Sequence, residues 1–509
     1  MRIFVFQSSY EGSDSVLEDF DIQSQPGLFT SQHEFEYRFI HKDKSQQEID
    51  AAVAEGFDFY INFLWGTLDD PVAGVLASRY FESLGLPSCG VRSWERSKTK
   101  NDFYKAARLR GAPPVPGVDH FRCSRDNGDI VIQEYIEGRD YTCSVVEMGQ
   151  NCIALTPFVY ITKQTTNREK FLTFDLKFDK ETRIELVQKR HNPTLFERLQ
   201  QVATEAFTVS SCIGSNMGCD VDLRATPAGE VFAIEVNPQP AAFMPEGKFH
   251  DLPIIHSLPG GHPAVINIFI ANHMLGQPDQ WSHQPKIASG YDGLAPKYDT
   301  ILSQMTSLPA SFKRLADRFE FSGTVLDLAC GTGMFGRVLA ESKEPCSLAA
   351  FKKNHRLLGC DISPGMLEIC RSSGVYDALY TESMETTLLK ISSSDAKSVD
   401  HITCFSSIHF LRPEMFSFVM VLCFALANKS VTISVDDIPD VYNETLKKWA
   451  KTSCIRLIVL RAWSRLGSLR AGIWSAETEN MPGRRLPRRI AFTLPILGLK
   501  GQMVMQETL

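Results

Sequence analysis

The chain has no Cys-x-x-Cys pair, and its 13 cysteines lie singly along 509 residues. That spacing argues against a disulfide framework or a zinc ribbon and for buried or incidental thiols in a reducing compartment. It also lacks an excess of positive charge: 53 Lys and Arg stand against 60 Asp and Glu, a net charge of -7, so there is no electrostatic case for nucleic acid. Long apolar runs are missing too. The most apolar stretch, FSFVMVLCFALA at 416–427, is shorter than the ~20 residues that span a bilayer and is expected to be a buried strand or helix. The opening MRIFVFQSS runs straight into polar sequence without the apolar core of a signal peptide. A cytoplasmic protein with no membrane partner is expected.

Charge is nevertheless uneven. Residues 446–509 hold twelve Lys or Arg against three Glu. Such a stretch could serve as a nucleic-acid or membrane arm, but it has neither interleaved aromatics nor an amphipathic period. Residues 451–509 are therefore read as a basic, irregular tail without a strand pair to finish a sheet. At 509 residues the chain exceeds one core, and ~100–200 residues per domain predicts two or three.

What is present is concentrated in two places. Residues 325–336, VLDLACGTGMFG, are an apolar run that breaks into closely spaced glycines, and a second apolar run, LLGCD, ends on Asp361. The first run suits a buried parallel strand. Gly331 and Gly333 let the backbone turn tightly and approach a ligand, and a helix from Met334 would point free amides at it. Asp361 at the tip of the neighbouring strand could accept hydrogen bonds from both hydroxyls of a ribose. The glycine spacing also fits a dinucleotide site of the NAD type, so that reading stays beside a methyl-donor one.

Asp327, the Cys-Gly-Thr-Gly turn, the upstream YDGLAPKYDTIL (291–302) and DISPGMLEIC after Asp361 make residues 291–450 resemble the class I S-adenosylmethionine-dependent methyltransferases. The resemblance implies a Rossmann-like domain that uses S-adenosyl-L-methionine. Asp327, Gly331 and Gly333 would surround its methionine part, Asp361 its ribose, and Glu382, Ser383 or Met384 would lie near its adenine. A branched side chain at Gly333 would then fill the donor's space, and Asp361→Asn would keep part of the binding that Asp361→Ala loses. The acceptor site is expected at Tyr291, Tyr298 and CFSSIHFL (404–411), with His409 as candidate general base.

In the first half, residues 57–90 follow strand, Gly-containing loop, helix and turn, as an alternating α/β domain does. VIQEYIEGRDYTCSVV (131–146) reads as two antiparallel strands joined at Glu137-Gly138. GCDVDLRATPAGEVFAIEVNPQP (218–240) carries the sharpest chemistry. Asp220 and Asp222 alternate along one strand, and Glu235 and Asn237 along the returning one, so one face of a ribbon presents up to four oxygen ligands. Magnesium suits such hard donors; a solvent-exposed hairpin with a polar face would look the same.

GTLDDPVAG, LGLPSCG, QEYIEGRDYT, FDLK and the Glu-x-Asn of IEVNPQP, in this order, make residues 1 to about 275 resemble the ATP-grasp superfamily, most of all its D-alanine:D-alanine ligase branch. The resemblance implies ATP and Mg2+ as cofactors. Glu134 would mark the hinge strand beside the adenine, Asp140 would bind the ribose, Lys177 would contact phosphate, and Asp222, Glu235 and Asn237 would hold magnesium. Two departures stand out. The 18 residues between Gly111 and Ile130 contain no lysine and only two glycines, so Lys98 or Lys100 would have to serve the phosphates. Asp220 replaces the ligases' arginine, for which Arg224 could supply a displaced charge.

The expected organisation is an α/β multi-domain chain: an ATP-grasp N-terminal subdomain at 1–95, its nucleotide and metal region at 96–275, truncated near 112–130, a linker at 276–290, the methyltransferase domain at 291–450, and the tail. The expected activity is a bifunctional enzyme acting on an amino-acid or peptide-like small molecule, a carboxylate-amine ligase fused to a methyltransferase. In the alternative the first half is a degenerate binding or dimerisation module, which would make a homodimer.

Overall fold

The computed structural model describes residues 1–13, 23–96, 98–122, 129–162, 172, 176–177, 181–210, 212–245, 251–277, 283–305, 308–344, 347–394, 398–437, 488–495 and 506–508. The chain divides into two compact units, Met1–Gln277 and Pro278–Leu509.

The first unit opens on a parallel sheet ordered β2-β1-β3-β4, with β1 Arg2–Ser8, β2 Glu34–Ile40, β3 Phe59–Phe63 and β4 Ser88–Gly90. The near-continuous apolar run of β1 fits burial on both faces, and Phe4, Phe6, Tyr60 and Phe81 form its aromatic core. The sheet is followed by a two-stranded ribbon, β5 Val118–Arg122 with β6 Asp129–Gln133. An antiparallel sheet then runs β10-β9-β7-β11-β12, with β8 on β7. Its members are β7 Arg139–Met148, β8 Asn151–Ala154, β9 Phe158–Ile161, β10 Arg183–Leu186, β11 Gly218–Ala225 and β12 Val231–Asn237. Helix Pro193–Ser210 buries Leu199, Val202, Ala206 and Phe207 against it.

One expectation fails here. Residues 131–146 are not a hairpin: β6 pairs with β5, while β7 lies between β9 and β11 in the other sheet. The Glu137-Gly138 turn changes sheets, because β7 pairs with the strands that follow it, β8 and β9, and with the distant β11 rather than with β6 before it.

The second unit is one seven-stranded sheet, β15-β14-β13-β16-β17-β18-β19. Strands β13 Gly323–Leu328, β14 His355–Asp361, β15 Ala378–Thr381, β16 Val399–Phe405 and β17 Ala427–Asp437 are parallel. Two further strands, β18 Arg488–Pro495 and β19 Gln506–Thr508, add antiparallel. The tail therefore does supply strands that finish the sheet, although its sequence shows no hairpin; β17 dictates the pairing from some fifty residues upstream. FSFVMVLCFALA lies in helix Pro413–Leu426 up to Leu426, and its last residue, Ala427, opens β17. The expected linker is helical from Gln284 onward, as part of helix Gln284–Met305. No single described helix is long and apolar enough to cross a membrane.

Candidate functional site

In the second unit β13 starts at the middle of the sheet, where the strand order reverses, and such a point leaves a crevice beyond the strand ends. Val325, Leu326 and Leu328 are fully buried. The chain then turns through three left-handed residues in five: Ala329 (φ 53°), Gly331 (φ 56°) and Gly333 (φ 77°). Ser406, just after β16, is left-handed as well (φ 52°). Ala329 and Ser406 pay a steric penalty that glycine escapes, and both line one cleft, where such strain tends to gather at functional sites. The cleft has a cavity volume of about 110 Å³ and includes Tyr291, Tyr298, Gly331, Asp361, Glu382, Ser383, Met384 and Phe410 in its wall.

Asp361 holds the turn. Its Oδ2 accepts from the Gly331 amide at 3.0 Å and its Oδ1 from the Ser363 amide at 2.8 Å. Burial pushes its carboxyl up while those amides pull it down. Helix Gln284–Met305 is tied to two strand-end loops: Asp292 accepts from the Ser363 hydroxyl (2.6 Å) and the Gly365 amide (2.9 Å), and Asp299 from Thr332 (2.5 Å) and Arg337 (2.5 Å). The Ser363 hydroxyl, then the Gly365 amide, holds Asp292 below the ordinary carboxylate range. Ser383 caps helix Met384–Ser393.

Two expected ligand residues lie elsewhere. Asp327 is 2 % exposed, is not part of the cleft wall, and accepts from the Tyr376 hydroxyl at 2.6 Å and the Thr403 hydroxyl at 2.7 Å. Gly333 is the N-cap of helix Met334–Lys343, and a Cβ there would meet Cys370 Sγ at 2.5 Å and Tyr376 at 2.9 Å, protein interior rather than donor space. At Gly331 a Cβ would meet only the Tyr298 ring, at 4.0 Å. His409 is also outside the cleft wall, its ring 4.3 Å from that of Phe410. Gln284 and Glu385, which do line the cleft, escaped the sequence reading because neither sits in a recognisable spacing.

Burial raises the Asp327 carboxyl to about 6, against the pull of Tyr376 and Thr403. With an unfolded value near 4, the folded chain binds this proton more tightly, so its stabilising contribution is complete below about pH 4 and is lost as pH rises through about 6. Asp327→Asn is expected to abolish that loss, which amounts to roughly 3 kcal/mol. Both partners are hydroxyls, free to donate to the amide oxygen or accept from its nitrogen. Thermal unfolding at pH 5 and 8 checks this, and an unchanged pH dependence would refute it.

In the first unit the register sets Asp220 opposite Asn237 and Asp222 opposite Glu235, with a bulge between Asp222 and Leu223. Asp222 accepts from Thr142 at 2.6 Å and from Asn237 at 3.3 Å, and Lys177 Nζ lies 3.7 Å away. Lys100 Nζ lies 3.9 Å from Glu235. Burial opposes charge on Lys177, but Asp222 and Tyr160 outweigh it and hold the ammonium up at about 12. Two carboxylates, an amide and two lysines thus gather on one sheet face. Asp220 does not join as an open ligand: it is 1 % exposed and accepts from Ser144 (2.6 Å) and the Ala241 amide (2.8 Å).

Arg224 and Asp140 are turned to each other. The guanidinium reaches both Asp140 oxygens, at 3.0 and 3.3 Å, and also Gly138 O and Tyr135, because the register places the two residues side by side on β11 and β7. The displaced charge expected of Arg224 and the ribose contact expected of Asp140 are therefore committed to a structural pair. Burial raises the Asp140 carboxyl, with Arg224 countering. Glu134 accepts from the Gly117 amide at 3.0 Å. Among the described residues no group of three or more His, Cys, Asp or Glu could hold a metal. Of FDLKFD only Leu176 and Lys177 are described, and residues 123–128, within the stretch expected to be truncated near 112–130, lie outside the described residues.

Each of the two units contains a stretch that matches a family model. Residues 122–244 match the model of the D-ala D-ala ligase C-terminus, and residues 325–427 match that of a methyltransferase domain. The chain thus carries one stretch similar to the D-ala D-ala ligase C-terminus and another similar to a methyltransferase domain. D-alanine–D-alanine ligases of Sinorhizobium medicae (strain WSM419) and Rhizobium meliloti (strain 1021) are each 26% identical to it over 112 residues, 22% of this chain. The match spans 34% of the length of those relatives. Among solved structures, VanG D-Ala:D-Ser ligase from Enterococcus faecalis aligns at 14% identity and TM-score 0.37, covering 53% of this chain and 99% of that one. The D-alanine-D-alanine ligase from Coxiella burnetii aligns at 16% and 0.38, covering 58% and 99%.

Proposed function

We propose that the protein is a bifunctional enzyme of small-molecule biosynthesis: an ATP- and Mg2+-dependent carboxylate-amine ligase fused to an S-adenosylmethionine-dependent methyltransferase, acting on an amino-acid or peptide-like substrate. The observation that carries the methyltransferase half is the cleft where Asp361, the left-handed Gly331 turn and Glu382–Met384 meet. Asp361 keeps spare lone pairs on both oxygens after taking two amides, and these could receive ribose hydroxyls. S-adenosylmethionine supplies an activated methyl group when bound. The chain's share is to align donor and acceptor, which alone can contribute much of the rate. Tyr291, Tyr298, Ser407 and Phe410 would shape the acceptor end.

In the ligase half Asp222, Glu235 and Asn237 fit magnesium as hard donors, few in number, that leave room for phosphate oxygens. Lys177 and Lys100, each beside one of these carboxylates, would neutralise phosphate charge as it shifts. ATP supplies the phosphoryl group that activates a carboxylate for amine attack. The expected result is ADP release with a mixture of amino acids that falls at least ~100-fold in Asp222→Ala and Glu235→Ala. Methyl transfer from labelled donor is followed separately.

The commitment of Arg224 to Asp140 favours a second reading, in which the first half only binds or presents substrate. ADP release at background with every carboxylate and amine offered, while methyl transfer persists, would establish it.

A further inference from the structure

Three rings gather where the cleft of the second unit adjoins the segment after β16. Tyr291 and Tyr298 lie two turns apart on helix Gln284–Met305, a spacing that puts both on one face. The Tyr291 ring stands edge-on to Tyr298, with 6.0 Å between centroids, and at 90° to Phe410, with 5.9 Å between centroids. Tyr298 is also the side chain nearest the open flank of Gly331, and Ser406 and Ser407 belong to the same wall. The Ser406 amide donates to Ser434 Oγ at 3.0 Å, which holds the segment after β16 in its left-handed turn.

The cleft is one-signed. Asp361, Glu382 and Glu385 line it, and no Lys, Arg or His belongs to its described wall. Glu385, only 6 % exposed, keeps Oε2 without a hydrogen-bond partner, so part of that charge is unanswered among the described residues. A cleft walled by one sign of charge gathers the opposite sign, and ring faces attract cations as well. A carboxylate or phosphate entering here would meet like charge and no described cation. His409, the candidate general base, is outside the wall, so a hydroxyl acceptor would find no described imidazole to take its proton.

We propose that the methyl acceptor is the neutral α-amino nitrogen of an aminoacyl amide, seated against Tyr291, Tyr298 and Phe410, so that methyl transfer follows amide formation. The proposal rests on the reading of the two units as methyltransferase and ligase. The nitrogen lone pair attacks the donor's methyl carbon. The N–C bond forms as the C–S bond breaks, and the electron pair of the C–S bond goes to sulfur, leaving a neutral thioether. Positive charge thus passes from sulfonium to methylammonium beside the rings, and the ammonium then gives a proton to water. An α-amino group next to an amide titrates at about 7.7–8.0, so a large share is neutral near pH 8 and no general base is needed. A free amino acid would bring its carboxylate up to the carboxylates of the wall, and conversion of that group to an amide removes the repulsion.

Labelled methyl transfer by the full chain tests this, with the amides of the common amino acids in both configurations, the free acids, and the matching amides without an amino group. Fragmentation mass spectrometry locates the methyl group. At least one amide is expected to be methylated on nitrogen, its free acid about tenfold more slowly or worse, and its deaminated counterpart not at all. Calorimetry at pH 8 with S-adenosylhomocysteine present is expected to show that amide binding about tenfold tighter than its acid. Tyr291→Leu and Phe410→Leu should each weaken amide binding about fivefold while S-adenosylhomocysteine affinity stays within about twofold. Methylation of oxygen, a free acid methylated ahead of its amide, amide binding unchanged in both ring variants, or no transfer to any amide by a chain that binds S-adenosylhomocysteine would overturn the proposal. Failure to bind S-adenosylhomocysteine would instead remove the methyl-donor reading, and amide methylation without any ADP release would remove the ligase reading and the order of the two steps.

Discussion

Gly333→Ala is expected to destabilise the second unit strongly, and Gly331→Ala only mildly, although the two glycines share one turn. Both are left-handed, and a Cβ in that region costs roughly 1–2 kcal/mol. At Gly333 the added carbon would also lie 2.5 Å from Cys370 Sγ and 2.9 Å from Tyr376, atoms buried in the core of the unit. Relief of such overpacking costs typically ~1–3 kcal/mol more. At Gly331 the same carbon meets nothing closer than 4.0 Å and enters the cleft. Gly331→Ala should therefore retain the fold and weaken S-adenosylhomocysteine binding, while Gly333→Ala should lose protection first. Hydrogen exchange of peptides covering 323–343 in the full chain separates the two. Equal protection in both variants would refute the packing assigned to Gly333.

Asp361→Ala is expected to weaken donor binding by roughly 1.5–3 kcal/mol, ten- to more than a hundredfold, because hydrogen bonds to a charged acceptor are lost. Asp361→Asn should do no better, contrary to what the residue types alone imply. Each carboxylate oxygen accepts from a backbone amide, Gly331 on one side and Ser363 on the other. A backbone amide can only donate, so one of them would face the asparagine NH2 with nothing to accept its proton. The Gly331 turn or the Ser363 turn then opens. Asp327 makes the opposite case with the same substitution, since its partners are hydroxyls that can reverse. Calorimetric titration of both Asp361 variants with S-adenosylhomocysteine decides the matter, and Asp361→Asn binding within threefold of the unaltered protein would contradict this account.

The division between what sequence and tertiary structure each control runs through single residues. Local chemistry was enough for the strand–turn–helix at 325–336, because an apolar run broken by glycines that escape the left-handed penalty allows few other conformations. It was enough as well for Asp361 at a strand tip and for the ribbon of Asp222, Glu235 and Asn237, since alternation along a strand fixes which side chains share a face. The same alternation could not say which carboxylates stay open. Asp220 and Asp222 are equivalent by spacing, yet Ser144 and the Ala241 amide close over the first, from 76 and 21 residues away. Arg224 is drawn to Asp140 by a strand 84 residues distant, and Asp327 is sealed by Tyr376 and Thr403 rather than turned to the cleft. The tail strands β18 and β19, unreadable as a hairpin, exist because β17 offers an unpaired edge to β18, which in turn offers its own to β19. Periodicity and turn chemistry act over a few residues and are written in order along the chain. Satisfaction of buried polar groups depends on partners brought together only when the sheets assemble, and Glu385, whose neighbour Gln284 is 101 residues away, could be recognised only there.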